Sequence, residues 1–151
     1  MILPRPALRV GWAIHRGLHR LTGGRLSTSK PANADQLGTL FLVTRGRSSG
    51  KERRTGLFYL DDGRNFAVVA SNAGASNDPA WWRNLQSTPK AQVELGGATT
   101  PVIGRLATPE ERSRLYPRFV SASANYATYE QTAGRPIPVV ILEPDDPGPG
   151  G

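Results

Sequence analysis

The chain has 151 residues, with 19 Lys and Arg against 12 Asp and Glu, two His and no Cys. This length fits one domain, and the missing cysteine excludes disulfides, thiolate nucleophiles and cysteine-bound metals. Because His15 and His19 are too few for a multi-histidine centre, we predict no metal site. No apolar run approaches the roughly 20 residues of a membrane span, and arginines interrupt the apolar stretches near the N-terminus. We therefore expect no secretory signal and a cytoplasmic location.

The basic residues are concentrated in the first third of the chain. Residues 1–54 contain eleven Lys and Arg but only Asp35 and Glu52 as acidic residues. A local excess of positive charge attracts a specific anion or an anionic surface. The candidates are nucleic acid, acidic lipid and a phosphorylated cofactor. Nucleic acid ranks last, and we predict no such partner, because aromatic residues are not interleaved with the basic cluster.

Residues 1–25 have the pattern of an amphipathic helix. At about 100° per residue, apolar side chains share one face and arginines share the opposite face. The apolar set is Ala7, Val10, Ile14, Leu18 and Leu21, and the basic set is Arg5, Arg9, Arg16 and Arg20. Gly23 and Gly24 end the predicted helix, and residues 26–37 are expected to be a polar connector.

The following sequence alternates in the manner of short β-strands joined by tight turns. The predicted strands are Gly38–Arg45, Thr55–Leu60, Phe66–Ser71, Ala91–Leu95, Thr99–Leu106 and Ile137–Leu142. Two predicted helices interrupt them. One begins with Asp78 as its cap and Pro79 at its first position and runs to Leu85. The other opens with a capping box at Thr108 and continues to about Val120.

Six short strands and two isolated helices predict a mainly β protein with flanking helices, in the α+β class. The architecture that fits is an antiparallel β-barrel with helices packed outside. The tail, residues 145–151, is rich in Pro and Gly and is predicted to be disordered.

The segment Gly46–Arg54, between two predicted strands, is the first candidate binding site. Its glycines free the backbone amides to turn inward, two serines add donors, and four basic side chains surround them. This composition suits a phosphate group, because charge-assisted hydrogen bonds are the strong ones. The segment lacks the spacing of the nucleotide P-loop. The alternative interpretation is a solvated basic hairpin loop.

Three further segments carry weaker signals, each with a structural alternative. Ala70–Ala75 ends a strand in small residues, which either let a flat ring approach backbone amides or form a flexible connection. Trp81 and Trp82 point to different faces of a helix, so one can line a pocket, although core packing of both is the default. Tyr126 and Tyr129 share a helical face and either bracket an aromatic substrate or cover the barrel.

In their order along the chain, these segments resemble blocks of the deazaflavin-dependent nitroreductase and quinone reductase family of actinobacteria. The resemblance covers about residues 37–144 and rests on Thr44–Gly50 with Arg53, Ala70–Gly74, Asn77–Trp81 and Pro136–Pro144. Several ordered blocks are a more specific signal than any one alone. They imply a split β-barrel of the flavin-reductase or FMN-binding type over residues 38–144. Its ligand would be coenzyme F-420, a flavin analogue with a phosphate and an oligoglutamate tail.

The resemblance also implies which residues bind the cofactor. Those meeting the phosphate and the acidic tail would be Arg47, Ser49 and Arg53, and Ser48 and Gly50 of the same loop are further predicted cofactor-binding residues. Those lying against the deazaflavin ring would be Ser71, Asn72 and Gly74, with Trp81 as a wall and Asn84 as a further cofactor contact. The candidate catalytic residues are Tyr126, Tyr129 and Ser71, which would stabilise a developing oxyanion or deliver a proton.

Three positions depart from the family pattern. Ser48 stands where the family commonly has lysine, which removes a cation that Lys51 or Arg54 would have to replace in part. Asn72 stands where some members have lysine, and Ser123 where some active members have a third tyrosine. These departures bear on activity towards a particular nitro compound more than on the fold.

The implied reaction is hydride transfer from reduced coenzyme F-420 to a quinone-like or nitroaromatic acceptor, with the cofactor supplying the reactivity. Two alternatives stay open. One is an FMN-binding reductase with the same barrel. The other is a non-catalytic carrier of a deazaflavin, flavin or lipophilic molecule.

Residues 5–21 either contact an anionic membrane surface, making the protein peripheral on the inner face of the cell membrane, or pack on the barrel. Electrostatic attraction to such a surface contributes about 1 kcal/mol per basic residue. If the membrane interpretation holds, deletion of residues 1–25 should abolish co-sedimentation with anionic liposomes. Unchanged co-sedimentation of the truncated protein would end that interpretation.

Overall fold

The computed structural model of the protein describes residues 28–31, 33 and 36–145. Across these residues the chain forms six strands and three helices. The strands are β1 (Gly38–Arg45), β2 (Glu52–Asp62), β3 (Asn65–Val69), β4 (Lys90–Leu95), β5 (Ala98–Leu106) and β6 (Val139–Pro144). The helices are α1 (Ala80–Ser87), α2 (Pro109–Ala122) and α3 (Asn125–Ala133). The predicted N-terminal helix and the predicted disordered tail beyond residue 145 lie outside the described residues.

The strands close into an antiparallel barrel in the order β1-β2-β3-β6-β5-β4. β1 pairs with β2 along its whole length, from Gly38 opposite Tyr59 to Arg45 opposite Glu52. Pairing between β1 and β4, centred on Leu42 opposite Val93, closes the circle. The predicted β-barrel with flanking helices is therefore confirmed.

Inward-pointing side chains from all six strands form the core of the barrel. They include Leu40, Leu42, Tyr59, Val68, Val93, Val102, Val140 and Leu142. Helix α1 closes one end by adding Trp81, Trp82 and Leu85 to the same core. Gly104 on β5 has no room for a side chain, because an added Cβ would lie 2.7 Å from Leu85 Cδ1. Both tryptophans are buried, as the default interpretation predicted.

A second apolar layer lies between the outer face of the barrel and helices α2 and α3. It contains Leu60, Ala67, Val69, Val139 and Ile141 from the strands and Leu115, Phe119 and Tyr126 from the helices. Because successive side chains on a strand point to opposite faces, β3 and β6 contribute to both cores. The outward-facing side chains of these strands pack against the helices, while their inward-facing side chains fill the barrel.

Several local predictions were wrong. Asp78 does not cap α1, which begins at Ala80 with Pro79 in the cap position and no side-chain cap. The Asp78 carboxylate instead accepts a hydrogen bond from Arg135 Nη1 at 2.7 Å. Helix α3 was not among the two predicted helices. β2 is longer than predicted at both ends. β6 starts at Val139, two residues after the predicted start at Ile137.

The predicted connector is attached to the barrel near its start, at residues 28 and 29. Ser29 forms an antiparallel bridge with Thr39 at the start of β1. Thr28 Oγ1 accepts a hydrogen bond from the Gly96 amide, in the β4–β5 turn, at 3.1 Å. Across the described part of the chain, no helix has the length and apolarity that crossing a bilayer requires.

The predicted capping box at the start of α2 is confirmed. The Glu111 amide donates to Thr108 Oγ1 at 3.2 Å, and the Thr108 amide donates to Glu111 Oε1 at 2.8 Å. The Glu111 carboxylate also accepts two hydrogen bonds from Arg105 on β5, at 2.6 and 2.9 Å. Bonding to Arg105 lowers the pKa of Glu111 to about 2, so the carboxylate that joins α2 to the barrel stays ionised.

A lowered pKa in the folded state contributes stability above the unfolded pKa that is lost as the pH falls through the folded value. We therefore expect Glu111→Gln to reduce the free energy of unfolding by about 1 kcal/mol at pH 7. The difference from the wild type should shrink between about pH 4.5 and pH 2, as measured by urea unfolding. Glu110→Gln is the matched control, since it removes the same charge from the same turn without touching Arg105. Equal destabilisation by the two variants would contradict this role of Glu111.

Candidate functional site

The loop between β1 and β2, residues 46–51, closes on itself through backbone hydrogen bonds. The Gly46 amide donates to the Lys51 carbonyl at 2.7 Å, and the Gly50 amide donates to the Gly46 carbonyl at 2.8 Å. Gly50 has a φ of 71°, a left-handed conformation that glycine adopts without strain. Gly46 makes room for Ser49, whose Oγ would lie 2.8 Å from a Cβ added at position 46. The two glycines therefore give this loop its compact shape.

A pocket of about 510 Å³ lies between this loop and α1. Its lining residues are Gly46, Arg47, Ser48, Ser49, Glu52, Arg53, Arg54, Thr55, Ala80, Trp81 and Asn84. Three arginines against one glutamate give the pocket a net positive charge, and serine hydroxyls add hydrogen-bond donors. This combination suits an anionic group such as a phosphate. Gly50, also predicted to bind the cofactor, shapes the loop but does not line the pocket.

The side chain of Asn84 joins the helix to the loop. Its Oδ1 accepts hydrogen bonds from the Arg47 amide at 3.2 Å and from Arg47 Nη1 at 2.9 Å. Its Nδ2 donates to Thr44 Oγ1 at 3.2 Å, and both side chains are buried. Asn84 was predicted to contact the cofactor. In the structure its amide bonds to protein groups on both sides, and these bonds hold Arg47 at the pocket.

The other cations near the loop differ in what they contact. Arg53 Nη2 lies 3.5 Å from Ser49 Oγ, on the side of the pocket. Arg54 pairs with Glu94 at 2.7 Å and lies over the Phe41 ring, 4.2 Å from its centroid. Arg54 also lines the pocket, but its guanidinium is bound to β1 and β4 and pairs with a carboxylate there. Arg47 and Arg53 line the pocket without a carboxylate partner among the described residues.

Ser71, Asn72 and Gly74 lie in a separate place, on a short 3-10 turn of residues 72–74 between β3 and α1. Asn72 and Ala73 have φ values of 48° and 52°, which non-glycine residues rarely adopt. Gly74 faces α3, because a Cβ added to it would lie 3.3 Å from Tyr129 Cδ1. Strained backbone conformations persist only where the surrounding structure supports them, and they are enriched at functional sites.

The two candidate catalytic tyrosines lie beside this turn on α3. The rings of Tyr126 and Tyr129 pack edge to face with their centroids 5.3 Å apart, and Tyr126 also packs against Phe119. Tyr126 is only 8% exposed, whereas Tyr129 is half-buried nearer the surface. Burial raises the pKa of both phenols above the ordinary value, so both are protonated hydrogen-bond donors at neutral pH.

Sequence reasoning missed Arg135, which follows α3. Its guanidinium bonds to Asp78 and to backbone carbonyls of the segment between β3 and α1. No local pattern could have revealed it, because its partners lie 57 to 65 residues earlier in the chain.

The predicted site residues thus form two clusters in the structure. Six of the predicted cofactor residues surround the pocket: Arg47, Ser48, Ser49, Arg53, Trp81 and Asn84. The ring and catalytic candidates form the second cluster: Ser71, Asn72, Gly74, Tyr126 and Tyr129. The segment from Gly74 to Ala80 connects the two. Among the described residues no group of three or more His, Cys, Asp or Glu could hold a metal ion.

An antiparallel barrel with a cationic, glycine-shaped loop and a helix across the loop defines a class of small barrels that can hold an anionic ligand. The chain also matches the family model described as F420H(2)-dependent quinone reductase over residues 14–144. That match covers well over half of the chain. The protein belongs to this family, as the resemblance of its sequence blocks predicted.

Two relatives from Mycobacterium tuberculosis, both named for F420H(2)-dependent quinone reduction, support this membership. One is 41% identical over 106 residues, which is 70% of this chain and 89% of the relative. The other is 32% identical over 138 residues, covering 89% of this chain and 88% of the relative. The similarity therefore extends over nearly the full length of both relatives.

A solved structure described as an F420-H2 dependent reductase has the same barrel. Its TM-score to this protein is 0.63 at 32% sequence identity, covering 70% of this chain and 93% of that one. The predicted split β-barrel is confirmed by this likeness as well as by the strand order.

We expect Asn84→Ala to destabilise the protein by about 1–3 kcal/mol, because Thr44 Oγ1 and the Arg47 amide would lose a buried partner. The free energy of unfolding in urea measures this change. Gln86→Ala, on the exposed side of the same helix, is the matched control and should stay within about 0.5 kcal/mol of the wild type. A loss no larger than that of the control would show that the Asn84 contacts do not hold the loop.

Proposed function

We propose that this protein transfers a hydride from reduced coenzyme F-420 to a quinone. The observation that carries the proposal is the pocket between the β1–β2 loop and α1, which gathers six residues predicted to bind this cofactor. Membership of the F420H(2)-dependent quinone reductase family agrees with that chemistry. A nitroaromatic acceptor, also predicted from the resemblance, has less support because the relatives are named for quinones.

The anionic end of the cofactor fits the charge and the donors of the pocket. Arg47 and Arg53 supply guanidinium groups, which bind phosphate and carboxylate oxygens through paired hydrogen bonds. Ser48 and Ser49 add hydroxyl donors, and Gly50 keeps the loop in the shape that presents them. Glu52 would repel an acidic tail, so we expect the tail to lie towards the arginines.

The deazaflavin ring would then lie between the pocket and the Ser71–Gly74 turn. Trp81 lines the pocket with a flat apolar side chain, which suits stacking or edge contact with a ring. Residues 71–74 offer mostly small side chains on a backbone of unusual conformation. Asn84 takes the role of a positioning residue for Arg47, rather than that of a direct cofactor contact.

Bound reduced coenzyme F-420 would supply the hydride, a two-electron donor suited to quinone reduction. The protein would contribute by holding the ring and the acceptor in contact, at about 3–3.5 Å between reacting atoms. As the acceptor gains negative charge on oxygen, a protonated hydroxyl can stabilise it or donate a proton. Tyr126, Tyr129 and Ser71 are the hydroxyl groups that we assign to this role.

The decisive experiment titrates the purified protein with coenzyme F-420 and with FMN, following fluorescence, and then adds menaquinone to the reduced deazaflavin complex. Preferred binding of F-420 followed by its oxidation supports the proposal. Tight binding without oxidation would favour a carrier, and a preference for FMN would overturn the cofactor assignment.

The variants Asn84→Ala and Gln86→Ala, measured in parallel, locate the binding site. We expect weaker F-420 binding in the first, because Arg47 loses its support, and wild-type binding in the second. Contact of residues 5–21 with an anionic membrane, which would deliver a lipophilic quinone, stays a prediction of the sequence.

Because burial raises the pKa values of Tyr126 and Tyr129, neither phenol should ionise between about pH 6 and pH 9. Turnover should therefore show no phenol titration in this range. The double variant Tyr126→Phe/Tyr129→Phe should lower kcat about a hundredfold by removing the proton donors.

Tyr116→Phe is the control for this experiment. The Tyr116 hydroxyl donates to the Tyr126 backbone carbonyl at 2.6 Å, so its loss tests the packing of α3 without removing either candidate donor. Undiminished turnover in the double variant would remove the tyrosines from the mechanism.

A further inference from the structure

We infer that Arg135 is a positioning residue that holds the Ser71–Gly74 turn against the tyrosine helix α3. The inference rests on the proposed function, in which that turn forms part of the ring site. Neither the sequence blocks nor the family match assigns a role to this arginine.

The guanidinium of Arg135 uses all three of its nitrogens on one segment of the chain. Nη2 shares its two hydrogens among the carbonyls of Ala70, Ser71 and Asn77, which lie at 3.3, 3.3 and 3.0 Å. Nε donates to the Ala75 carbonyl at 3.2 Å, and Nη1 donates to Asp78 Oδ1 at 2.7 Å. The Arg135 side chain is only 15% exposed. Every acceptor belongs to residues 70–78, so the arginine is enclosed by this segment.

The segment needs such support because its own hydrogen bonds are few. Within the turn, the Gly74 amide donates to the Ser71 carbonyl at 2.9 Å and the Ala75 amide to the Asn72 carbonyl at 3.1 Å. Two successive non-glycine residues, Asn72 and Ala73, have left-handed backbone conformations. This conformation is sterically unfavourable for a residue with a Cβ and persists only where neighbouring groups hold it.

Arg135 also fixes the distance between the turn and the tyrosines. It directly follows Gly134, the residue with a φ of 66° that ends α3. On the other side of the turn, Gly74 contacts Tyr129 and Thr132 of the same helix. The turn is thus held to α3 at two points, and both would restrict movement of Ser71 relative to Tyr129. A hydride acceptor between these hydroxyls would depend on that separation.

Lysine cannot replace this arrangement. A guanidinium is planar and presents five donors in fixed directions, whereas an ammonium is a compact charge with three. Arg135→Lys keeps the ion pair with Asp78 but cannot reach carbonyls on several sides at once. This variant separates the charge of Arg135 from its geometry.

Arg112 provides a matched control. Its guanidinium also bonds to a backbone carbonyl, that of Ile137, and to a carboxylate, that of Glu130. It joins α2 to α3 and to the segment before β6, and neither bond involves residues 70–78. Arg112→Gln therefore removes a similar clamp without touching the turn.

The experiment compares Arg135→Gln, Arg135→Lys, Asp78→Asn and Arg112→Gln in the full-length protein. The first readout is amide hydrogen exchange of residues 71–78 without cofactor, which reports the turn directly. We expect faster exchange in both Arg135 variants, an intermediate effect in Asp78→Asn and no change there in Arg112→Gln. Unchanged exchange in the Arg135 variants would overturn the inference.

The second readout is the split between kcat and binding. When kcat is normalised to the concentration of cofactor-binding sites, the Arg135 variants should lower it about a hundredfold. This is the loss expected when reacting groups are misplaced by about 1 Å. The Kd for coenzyme F-420 should change much less than kcat, because the cationic pocket that would hold the anionic end of the cofactor is untouched. A purely structural role predicts unchanged kcat per binding-competent molecule, and that result would overturn the positioning role.

Failure of the proposed function is recognised separately. A wild-type protein that does not oxidise reduced F-420 contradicts the proposed reaction, whereas the exchange experiment still decides whether Arg135 holds the turn. If Arg135→Gln does not fold, Arg135→Lys and Asp78→Asn carry both readouts. Wild-type kcat and wild-type exchange in Arg135→Lys would overturn the inference in that case.

Discussion

One buried amide, that of Asn84, connects the helix closing the barrel to the loop that shapes the pocket. Its two polar atoms bond to Arg47 on one side and Thr44 on the other. A buried amide without partners would cost about 1–3 kcal/mol, so the helix, the end of β1 and the loop have to form together. The pocket between loop and helix depends on this link, because its walls come from elements far apart in sequence.

Hydrogen bonds such as those from Arg47 to Asn84 orient the basic side chains of the protein towards a particular site. Many arginines lie in the first third of the chain, and those at the β1–β2 loop differ in their contacts. Arg47, Arg53 and Arg54 all line the pocket, but Arg54 is also held on the barrel wall by Glu94 and Phe41. The basic loop is therefore a small number of oriented donors on a compact turn. This is the difference between a diffuse positive surface and a binding site for one anion.

How much could be predicted depended on the range of the interaction. The alternation of side chains along the sequence predicted the observed bounds of β1, and the capping box predicted the start of α2. Both signals lie within a few residues of each other in the chain. Helix α3 has no side-chain cap and contains several weak helix formers, so packing against the turn and Phe119 determines it. The loop residues of the site were found from composition and family blocks. Arg135 and the bonds of Asn84 were not, because their partners are 37 to 65 residues away.

Helix α1 has two surfaces with different functions within eight residues. Trp82 and Leu85 fill the barrel, while Ala80 and Asn84 face the pocket, and Trp81 belongs to both. A ligand that contacts both the loop and the helix adds its binding free energy to the apolar packing that holds this helix on the barrel. Thermal stability and ligand occupancy are consequently coupled through one short element. A substitution at Trp81 that changes ligand specificity would therefore also have to preserve the packing of this side chain in the barrel core.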